Sequence, residues 1–379
     1  MSKTTHIFSY LVIIVLLAAC NTQDNSNPSP NASGESPLTA EGDSDINVKG
    51  VKNVDVLNTH GSIEGLERMV RFYGNVKGEV PSDLRVVHYT IEGDPIVTDL
   101  SYNGEMIEVK NDTTRDNFGS GSITTNNCGK LIEEVNPTNT TYIATDCIGG
   151  FHGMEQILQV YYNMSEQDLF EFELKYGVNQ ENEINTKTNT LKKESSENGS
   201  QLSSDFRIAV DVKQEVYKSL VFANYLAEKD FITTCDTEDA MNYYLKVYIN
   251  GGVREFQWSA CDQSMDGLKF TEIGEYIIDQ SEQEQQTQPE VTVQGYVLEK
   301  KDNELLIGQG LTMLDYEWIK DELQDINFNH YSFDFTVLEG VQTAEFNPGE
   351  KIIATIADKI SGKKPGRAKV KEMKKIELQ

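Results

Sequence analysis

The sequence predicts a multidomain α+β protein, and three observations support that fold class. Its 379 residues exceed the usual size of one domain and suffice for two or three. Helix-like and strand-like apolar patterns alternate along the chain, bounded by Gly, Asn and Pro turn signals. Two polar stretches, residues 179–204 and 281–290, are typical of linkers and divide these patterns into three blocks.

The first segment has the features of a bacterial lipoprotein precursor. Lys3 precedes an apolar run, Ile7 to Leu17, which is too short for a comfortable membrane span but suits a signal peptide. Leu17-Ala18-Ala19-Cys20 then matches the motif at which a diacylglyceryl group is attached to the cysteine thiol. The alternative is an ordinary secretory signal with a chance cysteine.

From this motif we expect a protein anchored to the cell membrane by lipid and facing outside the cytoplasm. Residues 1–19 are the predicted signal peptide, and Cys20 is the predicted lipidation site. Residues 20–47 are rich in Asn, Ser, Pro and Gly, so they cannot bury enough apolar surface to order themselves. They are predicted to form a disordered tether.

The first block, residues 48–178, reads as a small α+β domain. Ser62 is placed to cap a helix with apolar residues at helical spacing up to Tyr73. Asn103-Gly104 is a strong hairpin signal between two strand-like runs. The remaining predicted elements are strands at Leu84–Glu92, Thr140–Thr145 and Leu169–Tyr176, and a helix marked by Met154, Ile157, Leu158 and Tyr161.

The second block, residues 205–280, reads as a second α+β domain. Val216, Leu220 and Val221 mark a helix, and a last helix carries Ile273, Ile277 and Ile278. Between them, Asn250-Gly251-Gly252 predicts a hairpin that joins strands at Tyr243–Ile249 and Val253–Trp258.

The third block, residues 291–379, has the pattern of a small β domain with one helix. Thr312 is placed to cap that helix, whose apolar face is Tyr316, Ile319, Leu323 and Ile326. Five short strands with Gly-rich turns favour a barrel of the oligosaccharide- and oligonucleotide-binding (OB) type. The predicted strands are Val291–Glu299, Glu304–Gly308, Tyr331–Leu338, Lys351–Ile356 and Ala368–Leu378.

Four cysteines remain once Cys20 carries lipid, an even number in a compartment that permits disulfides. We predict the local pairs Cys128–Cys147 and Cys235–Cys261, because the other two pairings would join the blocks across the 179–204 linker. Free buried thiols or a four-cysteine metal site are the alternatives, although the Cys-x-x-Cys spacing of a zinc site is missing. In both blocks the predicted order is cysteine, strand, cysteine, helix, which suggests a duplicated module.

The charge argues against nucleic acid as a partner and leaves one basic segment to explain. The formal net charge is −28, whereas phosphate backbones need basic surface. The last 21 residues nevertheless hold eight basic side chains, among them Lys363, Lys364, Arg367 and Lys369. This segment is either a contact for anionic lipid or cell-wall polymer, or a solvated edge strand whose lysines block pairing with other sheets.

No catalytic, cofactor or metal motif is recognisable in the sequence. Four histidines, His60, His88, His152 and His330, do not cluster, and zinc, nucleophile-elbow and phosphate-loop motifs are absent. We therefore predict no catalytic residues, no cofactor and no metal ligands.

Two blocks resemble families without an assigned activity. The third block resembles a domain of unknown function found at the C-terminus of lipoproteins from Gram-positive spore-formers, through Gly295-Tyr296-Val297, Asp315 to Leu323 and Phe346 to Lys351. The first block resembles a second uncharacterised, cysteine-paired family through Asn58 to Gly61, Tyr89 to Ile96 and its cysteines. The second block resembles that family only from Cys235 onward, through Trp258 to Asp262. Both resemblances imply location and architecture only.

Three modules on polar connections are suited to multivalent contact. The first hypothesis is therefore a surface-tethered binding or interaction protein of the cell envelope, with an envelope protein or a cell-wall polymer as partner. The alternative is an extracytoplasmic hydrolase that uses carboxylates. A third possibility is a lipoprotein that restrains a membrane partner.

Overall fold

The computed structural model describes residues 46–195, 199–237, 239–283, 291–323 and 327–378. Within them the chain is a mixed α+β protein built mostly from sheets. The predicted signal peptide, Cys20 and the tether up to residue 45 lie outside the described residues. So do residues 284–290 of the second predicted linker.

Six strands form the first sheet: β1 (Val56–Thr59), β2 (Ser62–Glu64), β3 (Ser82–Tyr89), β4 (Pro95–Tyr102), β5 (Ile107–Asp112) and β6 (Ile123–Cys128). Their order is β2-β1-β3-β4-β5-β6, with β1 and β3 parallel and the other neighbours antiparallel. The hairpin predicted around Asn103-Gly104 is present as β4 and β5.

Helix α1 (Leu66–Lys77) packs its apolar face into the core through Leu66, Met69, Phe72 and Tyr73. It begins after Gly65 rather than at Ser62, which belongs to β2. Gly65 has φ 73°, and a Cβ there would lie 2.0 Å from the Asp55 carbonyl oxygen, so only glycine fits. The chain therefore turns into the helix at Gly65.

A three-stranded antiparallel sheet follows, made of β7 (Lys130–Val135), β8 (Asn139–Thr145) and β9 (Glu155–Tyr161). The prediction of a helix at Met154 to Tyr161 is wrong, because these residues form β9. The register between β8 and β9 shifts at Tyr142/Ile143, so that the adjacent residues Ile157 and Leu158 are both buried. This bulge interrupts the alternation of a strand and imitates helical spacing.

The second sheet also has six strands: β10 (Phe170–Gly177), β11 (Asn182–Asn185), β12 (Thr190–Ser195), β13 (Gly199–Ser203), β14 (Asn242–Ile249) and β15 (Gly252–Ser259). Their order is β13-β12-β11-β10-β14-β15, all antiparallel. The interpretation of residues 179–204 as a linker is therefore wrong. This polar stretch forms three strands, in which Ile184 and Leu191 are buried and Leu202 is exposed.

Two helices belong to the same part of the chain as the second sheet: α2 (Val210–Phe222) and α3 (Met265–Gln283). Their buried side chains include Leu220, Phe270 and Ile277. α3 extends into the second predicted linker, where Ser281 is buried. Core side chains of the first sheet, the three-stranded sheet and the second sheet form one continuous cluster. The predicted boundary at 178/205 thus does not separate two cores.

The third block is a closed five-stranded barrel. Its elements are β16 (Val291–Lys301), β17 (Glu304–Gln309), α4 (Met313–Ile319), β18 (Asp334–Glu339), β19 (Lys351–Ile356) and β20 (Gly366–Lys375). The strand order is β16-β17-β18-β20-β19, closed by pairing of β16 with β19, and β18 and β20 are parallel. Thr312 caps α4 as predicted, in a reciprocal pair with Asp315.

Both predicted disulfides, Cys128–Cys147 and Cys235–Cys261, are formed. The predicted duplication is not supported beyond them, because Cys147 leads into strand β9 whereas Cys261 leads into helix α3. The two disulfides therefore lie in different structural surroundings, one before a strand and the other before a helix.

Candidate functional site

A buried polar junction joins the three-stranded sheet to the barrel. Glu134 of β7 lies 2.8 Å from the Lys351 ammonium of β19, and both side chains are fully buried. The same carboxylate accepts hydrogen bonds from the Tyr296 hydroxyl at 2.7 Å and from the Met313 backbone N–H at 2.8 Å. Lys351 also donates to the Val135 carbonyl at 3.4 Å. The junction, Glu134 with Tyr296 and Lys351, is closed to solvent and therefore has a structural role.

Burial lowers the pKa of Lys351, while the adjacent Glu134 carboxylate opposes that shift. Burial and the same carboxylate raise the pKa of Tyr296, so its hydroxyl stays protonated and acts as the donor. Each polar atom of the junction thus has a partner that the other side of the interface supplies.

The histidines lie on separate elements. His88 of β3 accepts from the Asn58 amide at 3.3 Å in its neutral form and donates to the Ile157 carbonyl at 3.0 Å. Burial lowers its pKa, which favours that neutral form. His152 is 3.4 Å from Glu317, and His330 contacts Asn327. No group of three metal-binding side chains occurs among the described residues.

A hydrolase raises the pKa of its general acid, whereas the pKa values of Asp112, Glu255 and Glu350 are lowered. Hydrogen bonds from Thr114 lower the pKa of Asp112 to about 2. A hydrogen bond from Lys246 lowers the pKa of Glu255, and one from Lys375 lowers that of Glu350. These three carboxylates are held in the ionised form.

Aromatic and basic side chains meet at one end of the barrel. Trp318 of α4 is 50 % exposed, and its ring packs edge-on against Tyr331 with centroids 5.9 Å apart. Tyr331 in turn contacts Phe335 of β18 at 6.0 Å. The Lys364 ammonium donates to the Tyr331 carbonyl at 2.8 Å and lies 5.5 Å from the Phe335 ring centroid. We call Trp318, Tyr331, Lys363 and Lys364 the barrel-end surface, and Phe335 is buried beneath it.

The fold explains why these groups converge. The connection between β17 and β18 carries Trp318 and Tyr331, and the connection between β19 and β20 carries both lysines. Two backbone hydrogen bonds between Ser361 and Arg367 hold the base of the second connection. Lys363 is exposed and forms no ion pair with a described residue, whereas the Tyr331 hydroxyl donates to Glu322.

The edge-strand explanation of the basic C-terminal segment stays a prediction. β20 pairs with β18 over Gly366–Lys369 and with β19 over Val370–Lys375, so within the described residues the second half of the strand pairs with one neighbouring strand. Arg367 pairs with Glu304 and Glu339, and Lys375 pairs with Glu350 at 2.7 Å. Contact with an anionic partner, the other explanation of this segment, also stays a prediction.

The sequence analysis missed two features of this region. Trp318 appeared there only inside a stretch that resembles a family, and Lys351 also began a predicted strand. No pattern indicated an exposed ring or a buried ammonium. Among the described helices, none is long and apolar enough to cross a membrane.

Comparisons with known proteins find a family match in one part of the chain. A family described as a domain of unknown function (DUF4362) matches residues 53–143, which include Cys128 and end inside β8, before Cys147. No curated protein matches the chain. A crystal structure of a YobA protein from Bacillus subtilis is similar at 17% identity over 24% of this chain and 98% of its own, with a TM-score of 0.19. That score is too low to support an inference about this chain.

Proposed function

We propose that the protein is a cell-envelope lipoprotein, held on the outer side of the cell membrane by lipid on Cys20, that binds an anionic cell-wall polymer. The barrel-end surface is the observation that carries this proposal. An indole ring half open to solvent packs there against Tyr331, and Lys364 donates to the backbone of the same tyrosine, on a chain whose formal net charge is −28.

The chemistry of this surface fits a charged glycan. A tryptophan ring presents an apolar face and one N–H donor, a combination suited to a ligand that is apolar on one side and polar on the other. Lysine ammonium groups attract phosphate or carboxylate groups as point charges. The acidic remainder of the chain repels such a polymer, so it should approach at the barrel end.

The barrel topology agrees with a binding role. Its strand order, with β18 parallel to β20 and the barrel closed by β16 and β19, is that of an OB-like barrel. Barrels of this type bind oligonucleotides and oligosaccharides through the face of their second and third strands and through the loops between the first and second and the fourth and fifth strands. The strand order supports the fold alone. The proposal that the ligand is an anionic polymer rests on the side chains of the barrel-end surface.

Binding to isolated cell walls tests the proposal. Sedimentation with Gram-positive wall sacculi should deplete the soluble protein, and Trp318→Ala should weaken binding about tenfold, or about 1.4 kcal/mol. Lys364→Glu should weaken it comparably and reduce its dependence on salt. Sacculi stripped of their phosphate polymers with acid should bind poorly.

Lys374→Glu is the matched control, because it makes the same charge change at an exposed position of β20. It should leave binding within about twofold, since it lies outside the barrel-end surface. Equal losses for Lys364→Glu and Lys374→Glu, or full binding by Trp318→Ala, would contradict the proposal.

The anchor has its own test. Labelled palmitate should enter the wild-type protein in growing cells, and Cys20→Ala should stop incorporation and release the protein to the medium or leave it unprocessed. Two acyl chains are needed for stable anchoring, so losing the thiol should remove the protein from the membrane. Label that persists in the Cys20→Ala protein would exclude lipidation at this position.

A further inference from the structure

The second sheet ends at β15, which pairs with β14 on one side only. On the other side, the Ser259 N–H donates to the Ile232 carbonyl at 2.9 Å, away from β14. Backbone groups of an antiparallel strand alternate in direction, so the N–H and C=O groups of Val253, Glu255 and Gln257 point the same way. Among the described residues, none hydrogen-bonds to these backbone groups. β15 therefore has an open row of donors and acceptors.

A segment without regular structure, residues 228–235, runs beside this open edge. At one end Arg254 donates to the Ala227 carbonyl at 2.9 Å and lies 3.6 Å from Glu228. At the other end, Ile232 bonds to Ser259, and the Cys235–Cys261 disulfide fixes the chain. The segment thus runs parallel to β15. It hydrogen-bonds to the β15 backbone at Ser259, as a neighbouring strand would, but not along the middle of β15.

Between the two lies a groove of about 260 Å³ whose walls include Phe231, Thr233, Phe256 and Gln257. Phe231 and Phe256 pack edge to face at 6.4 Å, which supplies an apolar floor. A groove with unpaired backbone groups along one wall and aromatic rings below has the features of a site for an added strand.

We propose that this groove binds an extended, basic peptide segment of a partner protein by β-strand addition to β15. The backbone of Val253, Glu255 and Gln257 would bond to the peptide, and alternate peptide side chains would face Phe231 and Phe256.

Charge sets the chemistry of the partner. Glu228, Asp230 and Glu255 line the groove against Lys229 and Arg254. Lys229 pairs with Asp266 at 2.8 Å, Glu255 pairs with Lys246 at 2.7 Å, and Glu228 lies 3.6 Å from Arg254. Asp230 is exposed without an ion pair in the described part of the chain. The uncompensated charge is therefore negative and favours lysine or arginine in the peptide.

A synthetic probe tests the site without a known partner: an acetylated, amidated pentapeptide of alternating valine and lysine. Its binding to the full chain should slow the hydrogen exchange of the Val253, Glu255 and Gln257 amides. The amides of Phe256 and Trp258 face β14 and should change little. The same peptide with N-methyl groups on its alternate, inward-facing nitrogens should bind at least tenfold more weakly.

Gln257→Pro removes one outward N–H without removing a bond to β14, and proline is tolerated at such an edge position. It should weaken peptide binding at least tenfold, whereas Gln257→Ala keeps the N–H and should bind normally. Asp230→Asn should weaken the lysine peptide but not one with glutamine at the lysine positions. Binding that survives N-methylation, or slowed exchange spread evenly over β15, would overturn the proposal even if Gln257→Pro failed to fold.

Discussion

Replacing Lys351 with Met is expected to lower the free energy of unfolding by about 3–5 kcal/mol. The substitution keeps most of the side-chain volume but leaves the Glu134 carboxylate buried without its counter-ion. Tyr296 and the Met313 N–H would still bond to that carboxylate, yet they carry no charge to balance it. Urea unfolding followed by circular dichroism measures the change.

A double-mutant cycle isolates the cause. Glu134→Gln in the Lys351→Met background removes the unpaired charge while keeping an oxygen for Tyr296. We expect it to recover part of the lost stability, with a coupling energy above 1 kcal/mol. Lys375→Met is the matched surface control, since its ion pair with Glu350 is half exposed and contributes about 0–1 kcal/mol. A loss from Lys351→Met no larger than that of Lys375→Met would mean that the junction is not a stabilising contact.

This junction also bears on how the barrel-end surface is presented. Tyr296 bonds to Glu134 through its hydroxyl and stacks on Tyr316 of α4 at 5.4 Å. Met313 begins that helix, and its N–H bonds to the same carboxylate. Because α4 also carries Trp318, the contact that docks the barrel also fixes the helix that exposes the indole ring.

The elements that sequence reasoning found are those that local chemistry determines. Asn250 and Gly251 both adopt the positive φ of a two-residue hairpin, and Gly104 does so in the connection between β4 and β5, so both turns could be recognised from an Asn-Gly pair. The Thr312 cap of α4 is equally local. The disulfides were predictable because only one pairing is local for both cysteine pairs.

The elements that were missed depend on partners far along the chain. Ile157 and Leu158 of β9 look helical because a bulge opposite β8 buries them both. β11, β12 and β13 look like a linker because they form the polar extension of a sheet that β10 and β14 anchor. Their pairing, rather than their composition, makes them strands.

The candidate site was partly predictable for the same reason. The lysines of the C-terminal segment were evident from their contrast with an acidic chain. The contact of Lys364 with Tyr331 requires the barrel to close, since Tyr331 precedes that lysine by more than 30 residues. Glu134 and Lys351 are further apart still, and a buried salt bridge leaves no periodic signal in either strand.

Removing the Cys128–Cys147 disulfide by a double Cys→Ala substitution is expected to lower the free energy of unfolding by about 3 kcal/mol. Cys128 ends β6 in the first sheet and is fully buried, and Cys147 follows β8 of the three-stranded sheet. The chain-entropy model gives this value for a sequence separation of 19 residues. Urea unfolding of the oxidised wild type and the double variant measures it.

The Cys235–Cys261 disulfide is the natural comparison. Its sequence separation is 26 residues, for which the chain-entropy model gives a similar loss in the free energy of unfolding, about 3.5 kcal/mol. Its functional effect should differ. Cys235 ends the segment, residues 228–235, that forms one side of the groove beside β15. The Cys235→Ala/Cys261→Ala variant should therefore bind the valine-lysine peptide more weakly, while its binding to cell walls should be unchanged. Cys128→Ala/Cys147→Ala should change neither under conditions where the protein stays folded. If both double variants lose peptide binding to the same extent, the groove depends on global stability rather than on the segment that this disulfide holds.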